Sequence, residues 1–136
     1  MDFRETTVAE LAARVRAKEV AARELTQAAL ERIEALNPQV NAFVAVDGEA
    51  ALRDAAAVDE LVAAGEDPGP LAGIPIGVKD LEDAAGFVTS MGSATRAGDR
   101  PASADSILVS RLRAAGCVVV GKTNTPDYNY KANTEN

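Results

Sequence analysis

The residue best suited to chemistry is a single lysine at the end of a short apolar strand. Lys79 ends a predicted strand at 74–79, and Lys122 follows the apolar run at 117–120. Flanking Ile76 and Val78 could desolvate the amine of Lys79, which would favour its neutral form. A neutral lysine can take a proton from a hydroxyl group. The residues thus make Lys79 a candidate base, although such a lysine is more commonly a solvated charge at a sheet edge.

The composition narrows the remaining chemistry. The chain has no histidine, which excludes Ser-His-Asp and Cys-His catalysis within it, as well as histidine-ligated zinc or iron. We therefore predict no metal site and no cofactor, and a base must be Lys, Asp, Glu or Tyr. The single cysteine, Cys117, lies in an apolar β-branched run, which favours a buried, inert thiol over a nucleophile.

Charge and hydropathy predict the partners and the compartment. The net charge is −7 and no basic patch is present, so we expect no nucleic-acid partner. The N-terminus lacks a charged-then-apolar leader, and no apolar run is long enough to span a bilayer. These observations predict a cytoplasmic protein without a membrane partner.

One motif is misleading. Residues 116–123 read Gly-Cys-Val-Val-Val-Gly-Lys-Thr and match the phosphate-loop pattern letter for letter. A phosphate loop needs a strand before its first glycine and turned amides between its two glycines, whereas here a predicted helix precedes Gly116 and strand-forming valines follow. We interpret the segment as a strand rather than as a nucleotide site. Asp47 follows an apolar run in a way that resembles a magnesium-binding strand, but capping a helix is the simpler role.

The periodic segments predict an α/β fold. The capping-box pattern Thr7-Val-Ala-Glu starts a helix, and Asp47 and Gly65 are placed to begin and end another. The predicted helices are 23–36, ended by Asn37-Pro38, 48–64 and 105–115. The predicted strands are 41–46, 74–79 and 117–120, the last of them buried on both faces. Pro75 indicates either an edge position or an early residue of its strand. Strand, helix and strand in this order are typical of a parallel sheet.

Several strings together resemble the amidase signature family. They are Pro-Leu-Ala-Gly-Ile-Pro-Ile-Gly-Val-Lys-Asp at 70–80, the segments 105–116 and 117–126, and Leu-Glu-Arg-Ile-Glu-Ala-Leu-Asn-Pro at 30–38 followed by Asn-Ala-Phe at 41–43. The resemblance extends from about Thr7 to Asn136. It implies the N-terminal part of the amidase signature fold, with helices packed on a mixed, partly parallel β-sheet. Residues 1–136 would form an incomplete N-terminal portion of one amidase domain, with a helical region at 7–64 and the start of the α/β core at 70–136.

The resemblance also implies a mechanism. In that family a Ser–cis-Ser–Lys triad hydrolyses amide bonds, and the lysine in the position of Lys79 is the base. The family's Gly-Ser-Ser-Gly-Gly segment and its nucleophile would follow Asn136. The chain would then supply only Lys79 to the hydrolysis of a small-molecule amide and be inactive alone, with Lys122 structural or pocket-lining. The serines present do not lie in matching settings: Ser90, Ser93, Ser103, Ser106 and Ser110.

Two alternatives remain open. An apolar strand with an unpaired edge promotes association, so the chain could act as an interaction module that self-associates through exposed sheet edges. Within the family, the rival is the A subunit of the tRNA-dependent amidotransferase. Thr-Pro-Asp-Tyr at 125–128 resembles the general amidases more closely, since the tRNA-linked proteins usually carry Met-Asp-Glu-Phe there.

Overall fold

The computed structural model describes residues 3–130 and 134, so the ends of the domain predicted at 1–136 lie outside the described residues. The fold has the predicted α/β class. Its elements are α1 (Val8–Arg16), α2 (Ala22–Val40), β1 (Phe43–Val46), α3 (Gly48–Ala64), β2 (Pro75–Lys79), α4 (Ile107–Ala114) and β3 (Val118–Thr123), with short 3-10 helices at Phe3–Glu5, Ala94–Arg96 and Asp127–Asn129.

Local capping fixes two of the helices as predicted. The Thr7 hydroxyl accepts from the Glu10 amide at 3.2 Å, and the Glu10 carboxylate accepts from the Thr7 amide at 2.8 Å, which completes the capping box of α1. The Asp47 carboxylate accepts from the Ala50 amide at 2.9 Å and starts α3, and Gly65 ends that helix with a φ of 78°. Asp47 is thus a helix cap, as the sequence indicated.

The second helix begins within one residue of its predicted start but extends past its predicted end. It does not end at Asn37 and includes Pro38. The Asn37 side chain binds the amide and the carbonyl of Phe43 at 2.8 and 2.9 Å, and its carbonyl accepts from Asn41 at 2.8 Å. These bonds stabilise the last turn despite the N–H that proline lacks. At the other end, the Asp59 carboxylate of α3 accepts from the Ala22 and Arg23 amides at 2.7 and 3.2 Å, a cap that comes from a distant part of the chain.

The three strands form a mixed, partly parallel sheet in the order β1-β3-β2, as predicted. β3 lies in the centre, parallel to β2 and antiparallel to β1, and its residues from Val118 to Lys122 are buried. Pro75 is the first residue of the edge strand β2, where its missing N–H removes no bond from the sheet centre. Residues 118–123 are a strand whose amides belong to the sheet, so the interpretation of this segment as a strand is confirmed.

Two apolar clusters lie on the sheet and hold the helices. The helical spacing of Ala51, Ala55, Val58 and Val62 predicts that they share one face of α3, and these four are its buried residues. They pack in one cluster with residues of α1, α2 and β3. The second cluster lies under the loop that follows β2 and contains Val78, Ala84, Phe87, Val109 and Val119.

The spacing in α4 predicts an apolar stripe of Ile107, Leu108, Arg111 and Leu112. Leu112 packs against the first cluster, but the first two positions of the stripe are wrong. Ile107 and Leu108 are 74% and 53% exposed, and Val109 is the buried residue. The start of the helix is fixed by neighbouring loops rather than by its own apolar pattern. The Ser106 side chain caps it, and the Ser106 amide donates to the Asp83 carbonyl at 2.8 Å. These bonds set the rotation of α4 and turn its first two apolar residues outward.

Candidate active site

Lys79 is the last residue of β2, and its side chain is exposed. Its Nζ donates to the Asn129 Oδ1 at 2.9 Å. The expected shielding of the amine by Ile76 and Val78 is wrong. Side chains alternate along a strand, so both apolar residues lie on the face opposite Lys79 and pack into the second cluster. Within the described residues, the amine is therefore exposed.

The residue after Lys79 lies on the other face and is part of a buried ion pair. Asp80 is 1% exposed and Lys122 is 0% exposed, and their Oδ1 and Nζ atoms lie 3.2 Å apart. Lys122 also donates to the Thr89 hydroxyl at 2.9 Å and to the Val88 carbonyl at 3.2 Å. With three partners and no exposure, the Lys122 ammonium is a structural group, which agrees with its interpretation from the sequence.

The Asp80 carboxylate holds the loop that follows β2. It accepts from the Ser90 amide at 3.0 Å, from the Ser90 hydroxyl and from the Gly92 amide at 3.4 Å. A buried carboxylate is stable only when it is paired and hydrogen-bonded, and here both conditions are met. Asp80 was not singled out from the sequence. The sequence did contain a signal for this role. Lys122 follows a strand predicted to be buried, and a buried ammonium requires a carboxylate partner, which Asp80 at the end of the neighbouring strand could supply.

Four of the five serines that the sequence set aside have structural partners, and the fifth, Ser103, is exposed. Ser90 binds Asp80, the Ser93 hydroxyl lies 3.0 Å from that of Thr95, and Ser106 and Ser110 bond within α4 and its cap. Within residues 3–130 and 134, no serine forms a hydrogen bond with the Lys79 amine. The structure thus brings Lys79 together with an asparagine rather than with a serine.

The remaining reactive groups are not activated. Cys117 is buried, and burial raises the pKa of its thiol, which disfavours the reactive thiolate. Among the described residues, no three Cys, Asp or Glu side chains are grouped so that they could hold a metal ion. No helix in the described part of the chain combines the length and the apolar character needed to cross a bilayer.

An open cavity of about 810 Å³ lies beside the buried pair. Val44 and Val46 of β1 line one side of it, and Asp80, Phe87 and Ser90 line another. Lys79 is not among its lining residues, because its side chain leaves the sheet on the opposite face. We assign no reaction to this cavity, and the candidate site remains the exposed end of β2.

Comparisons with known proteins identify the family. The family model described as Amidase matches residues 24–136. The A subunit of the glutamyl-tRNA(Gln) amidotransferase of Salinispora arenicola is 48% identical over 134 residues, which are 98% of this chain and 27% of that protein. The acylamidase of Rhodococcus erythropolis is 40% identical over 127 residues, 93% of this chain and 26% of that protein.

Solved structures give the same result. The peptide amidase of Stenotrophomonas maltophilia superposes with a TM-score of 0.84 at 45% identity, over 91% of this chain and 26% of that one. A bacterial aryl acylamidase of the amidase signature family superposes with a TM-score of 0.90 at 28% identity, over 96% of this chain and 27% of that one. The chain thus spans about a quarter of the length of the relatives it matches. From the matched model, the sequence identities and the shared fold, we conclude that this chain belongs to the amidase signature family.

Proposed function

We propose that this chain supplies Lys79 as the general base of an amide-hydrolysing Ser–cis-Ser–Lys triad, in a protein whose two serines follow Asn136. The observation that carries the proposal is the contrast at the ends of two paired strands. Lys122 is held in a buried ion pair with Asp80. Lys79 has an exposed amine, and its one partner within the described residues is the neutral carboxamide of Asn129. Membership of a family of amidases supports the same role.

The geometry suits a proton acceptor. A neutral lysine amine has two N–H groups and one lone pair. When one N–H donates to the Asn129 Oδ1 at 2.9 Å, rotation about the last C–N bond is restricted and the lone pair keeps one direction. That lone pair takes the proton of the bridging serine, which in turn takes the proton of the nucleophile. The same route returns a proton to the leaving amine, and water then repeats the cycle on the acyl-enzyme.

We expect the 136-residue chain alone to be inactive on amides. Without a nucleophile no acyl-enzyme forms, and absence of oxyanion donors removes a stabilisation of about 2.7–4 kcal/mol. The matching part of the relatives is about a quarter of their length, so most of their fold is not represented in this chain. Release of amine by the purified chain, lost on Lys79→Ala, would contradict this proposal.

The role of Lys79 can be tested in a chimera. This chain replaces the matching 26% of the Rhodococcus erythropolis acylamidase, to which it is 40% identical. In the chimera, Lys79→Met should lower kcat for an amide substrate of the parent by about 10²- to 10⁴-fold, the usual contribution of a general base. Lys18→Met, at another exposed lysine, is the matched control and should leave kcat unchanged. Equal kcat in both variants would refute the role of Lys79.

A second candidate is the amidotransferase protein. The relative from Salinispora arenicola is the A subunit of a glutamyl-tRNA(Gln) amidotransferase, and its 48% identity favours this interpretation, whereas the Thr-Pro-Asp-Tyr segment at 125–128 favours a general amidase. The test is to express the gene through its continuation beyond Asn136 and to compare two activities. Amine release from simple amides without a partner protein supports the general amidase. Amide transfer to glutamyl-tRNA(Gln), seen only with partner proteins, supports the amidotransferase.

Self-association through sheet edges is a further proposal that the strand order supports. Within the described residues, β1 and β2 each have a neighbour on one side only, and Val44 and Val46 of β1 are 46% and 44% exposed. Such edges template pairing with another chain. Light scattering should show a mass that rises with concentration, and Val44→Lys should suppress the rise. A monomer at every concentration would contradict the proposal.

A further inference from the structure

Lys79 and Asp80 are connected through space by a closed circuit of hydrogen bonds as well as by their peptide bond. The Asp80 carboxylate holds Ser90, and the Asp80 carbonyl accepts from the Met91 amide at 2.9 Å. The Met91 carbonyl accepts from the Tyr128 amide at 2.8 Å. The next residue, Asn129, accepts from the Lys79 amine at 2.9 Å. The circuit therefore runs from Asp80 through residues 91, 128 and 129 to the Lys79 amine, and the peptide bond between residues 79 and 80 closes it.

The buried pair fixes one side of this circuit. Asp80 is held by Lys122 at 3.2 Å, and the Asp80 amide donates to the Thr123 carbonyl at 3.0 Å. The pair thereby joins the ends of β2 and β3. Its geometry is determined from several directions at once, since the Asp80 carboxylate also accepts from Ser90 and Gly92. Because the Asp80 carboxylate is held in one position, it also fixes the position of residues 90–92, to which it bonds.

The other side of the circuit carries backbone strain. Met91, Tyr128 and Asn129 have φ angles of 55°, 47° and 61°, in the left-handed region that residues with a Cβ atom rarely adopt. They are three of the five such non-glycine residues in the described part of the chain. Each strained residue persists only when its surroundings over-determine it, and such residues concentrate at functional sites. The circuit provides that determination, since it bonds Met91 and Tyr128 directly.

We propose that Asp80 is a positioning residue for Lys79, which acts through residues 90–92 and 127–129 to fix the Asn129 carboxamide that orients the amine. The inference rests on the proposed role of Lys79 as a base. Asp80 does not touch the reacting atoms. Its contribution is to hold the acceptor of the Lys79 amine in one place, so that the lone pair keeps one direction through the reaction.

The experiment measures the reactivity of Lys79 in the 136-residue chain. Reductive methylation with formaldehyde is followed by mass spectrometry of peptides, and the rate at Lys79 is divided by the rate at Lys18 in the same molecule. Asn129→Ala removes the acceptor, and the ratio should rise about fivefold, the equivalent of one ordinary hydrogen bond. Ser90→Ala removes one bond between Asp80 and the loop without unpairing Lys122, and the ratio should rise by a smaller factor.

The controls separate positioning from general loosening. Ser103→Ala changes an exposed serine outside the circuit and should leave the ratio unchanged. Ser90→Thr keeps the hydroxyl and should restore the ratio, which a merely structural role of the residue would not require. A ratio that rises in Asn129→Ala and is unchanged in Ser90→Ala would overturn the link to Asp80. No rise in either variant would overturn the whole circuit.

Kinetics in the acylamidase chimera separate the role of Lys79 as the base from the role of Asp80 in positioning it. If Lys79→Met lowers kcat and Ser90→Ala lowers kcat with KM unchanged, both the base and its positioning are supported. If Lys79→Met lowers kcat while Ser90→Ala and Asn129→Ala do not, the positioning fails and the base stands. If Lys79→Met has no effect on kcat, the proposed function fails, whatever the methylation ratios show.

Discussion

Lys79 and Lys122 lie on neighbouring strands of one sheet, and the first is exposed whereas the second is buried. The parallel pairing sets Val78 opposite Lys122 and Lys79 opposite Thr123, so the two lysines lie one residue apart in the ladder. That offset places them on opposite faces. Lys122 meets Asp80, Thr89 and Val88 in the interior, whereas Lys79, among the described residues, bonds only to Asn129 at the surface. The two residues are of the same type, so their different roles come from the face of the sheet on which each side chain lies.

The largest effect on stability is expected at Lys122. Lys122→Met leaves the Asp80 carboxylate buried without its counterion and should lower the free energy of unfolding by about 3–5 kcal/mol. Urea unfolding of the chain measures the change. Adding Asp80→Asn removes the stranded charge and should recover most of the loss. A double variant as unstable as the single one would show that the ion pair is not the source of the effect.

A smaller effect is expected where Lys122 meets the loop. Thr89→Val keeps the shape of the side chain and removes the hydroxyl that accepts from Lys122 at 2.9 Å. Hydrogen bonds to charged groups contribute about 1.5–3 kcal/mol, so the free energy of unfolding should fall by that amount. Thr6→Val removes only an exposed hydroxyl bond, to the Glu10 carboxylate at 3.3 Å, and serves as the control in the same titration. Equal unfolding midpoints for the two variants would argue against a hydrogen-bonded Lys122.

The smallest effect on stability is expected at Lys79. Its side chain is exposed and makes one bond, to the neutral Asn129 side chain, so Lys79→Met should lower the free energy of unfolding by about 1 kcal/mol at most, the contribution of one ordinary hydrogen bond. The same substitution is expected to abolish most of the activity of the chimera. A stability loss as large as that of Lys122→Met would remove the contrast between the two lysines, since Lys79 would then also be structural.

The sequence predicted the features that depend on neighbouring residues. Thr7, Asp47 and Gly65 act on the first or last turn of their own helices, and each was identified correctly. The run at 117–120 was correctly assigned to a strand buried on both faces, because a continuous apolar run has no polar side to expose. The position of Lys79 at the end of β2 followed from the same reasoning.

Features that depend on residues far apart in the chain were not predicted from the sequence. The start of α2 is capped by Asp59, which comes from another helix, and the only local cap there is the bond from the Ala21 amide to the Glu24 carboxylate at 3.1 Å, so the sequence marks this start weakly. Pro38 stays in the helix because Asn37 gains bonds to Phe43 of β1. The pairing of Asp80 with Lys122 likewise required the register of two strands. The shielding of Lys79 was predicted wrongly because sequence neighbours were treated as neighbours in space.

The central claim is that the amine at position 79 is the base. In the acylamidase chimera with Cys117→Ala, Lys79→Cys should lower kcat by about 10²- to 10⁴-fold. Alkylation with 2-bromoethylamine then attaches an amine at nearly the length of the original lysine, and much of the kcat should return. The chimera that retains Lys79, treated in the same way, controls for other alkylated cysteines. Activity that survives Lys79→Cys, or that is lost and does not return with the amine, would contradict the account.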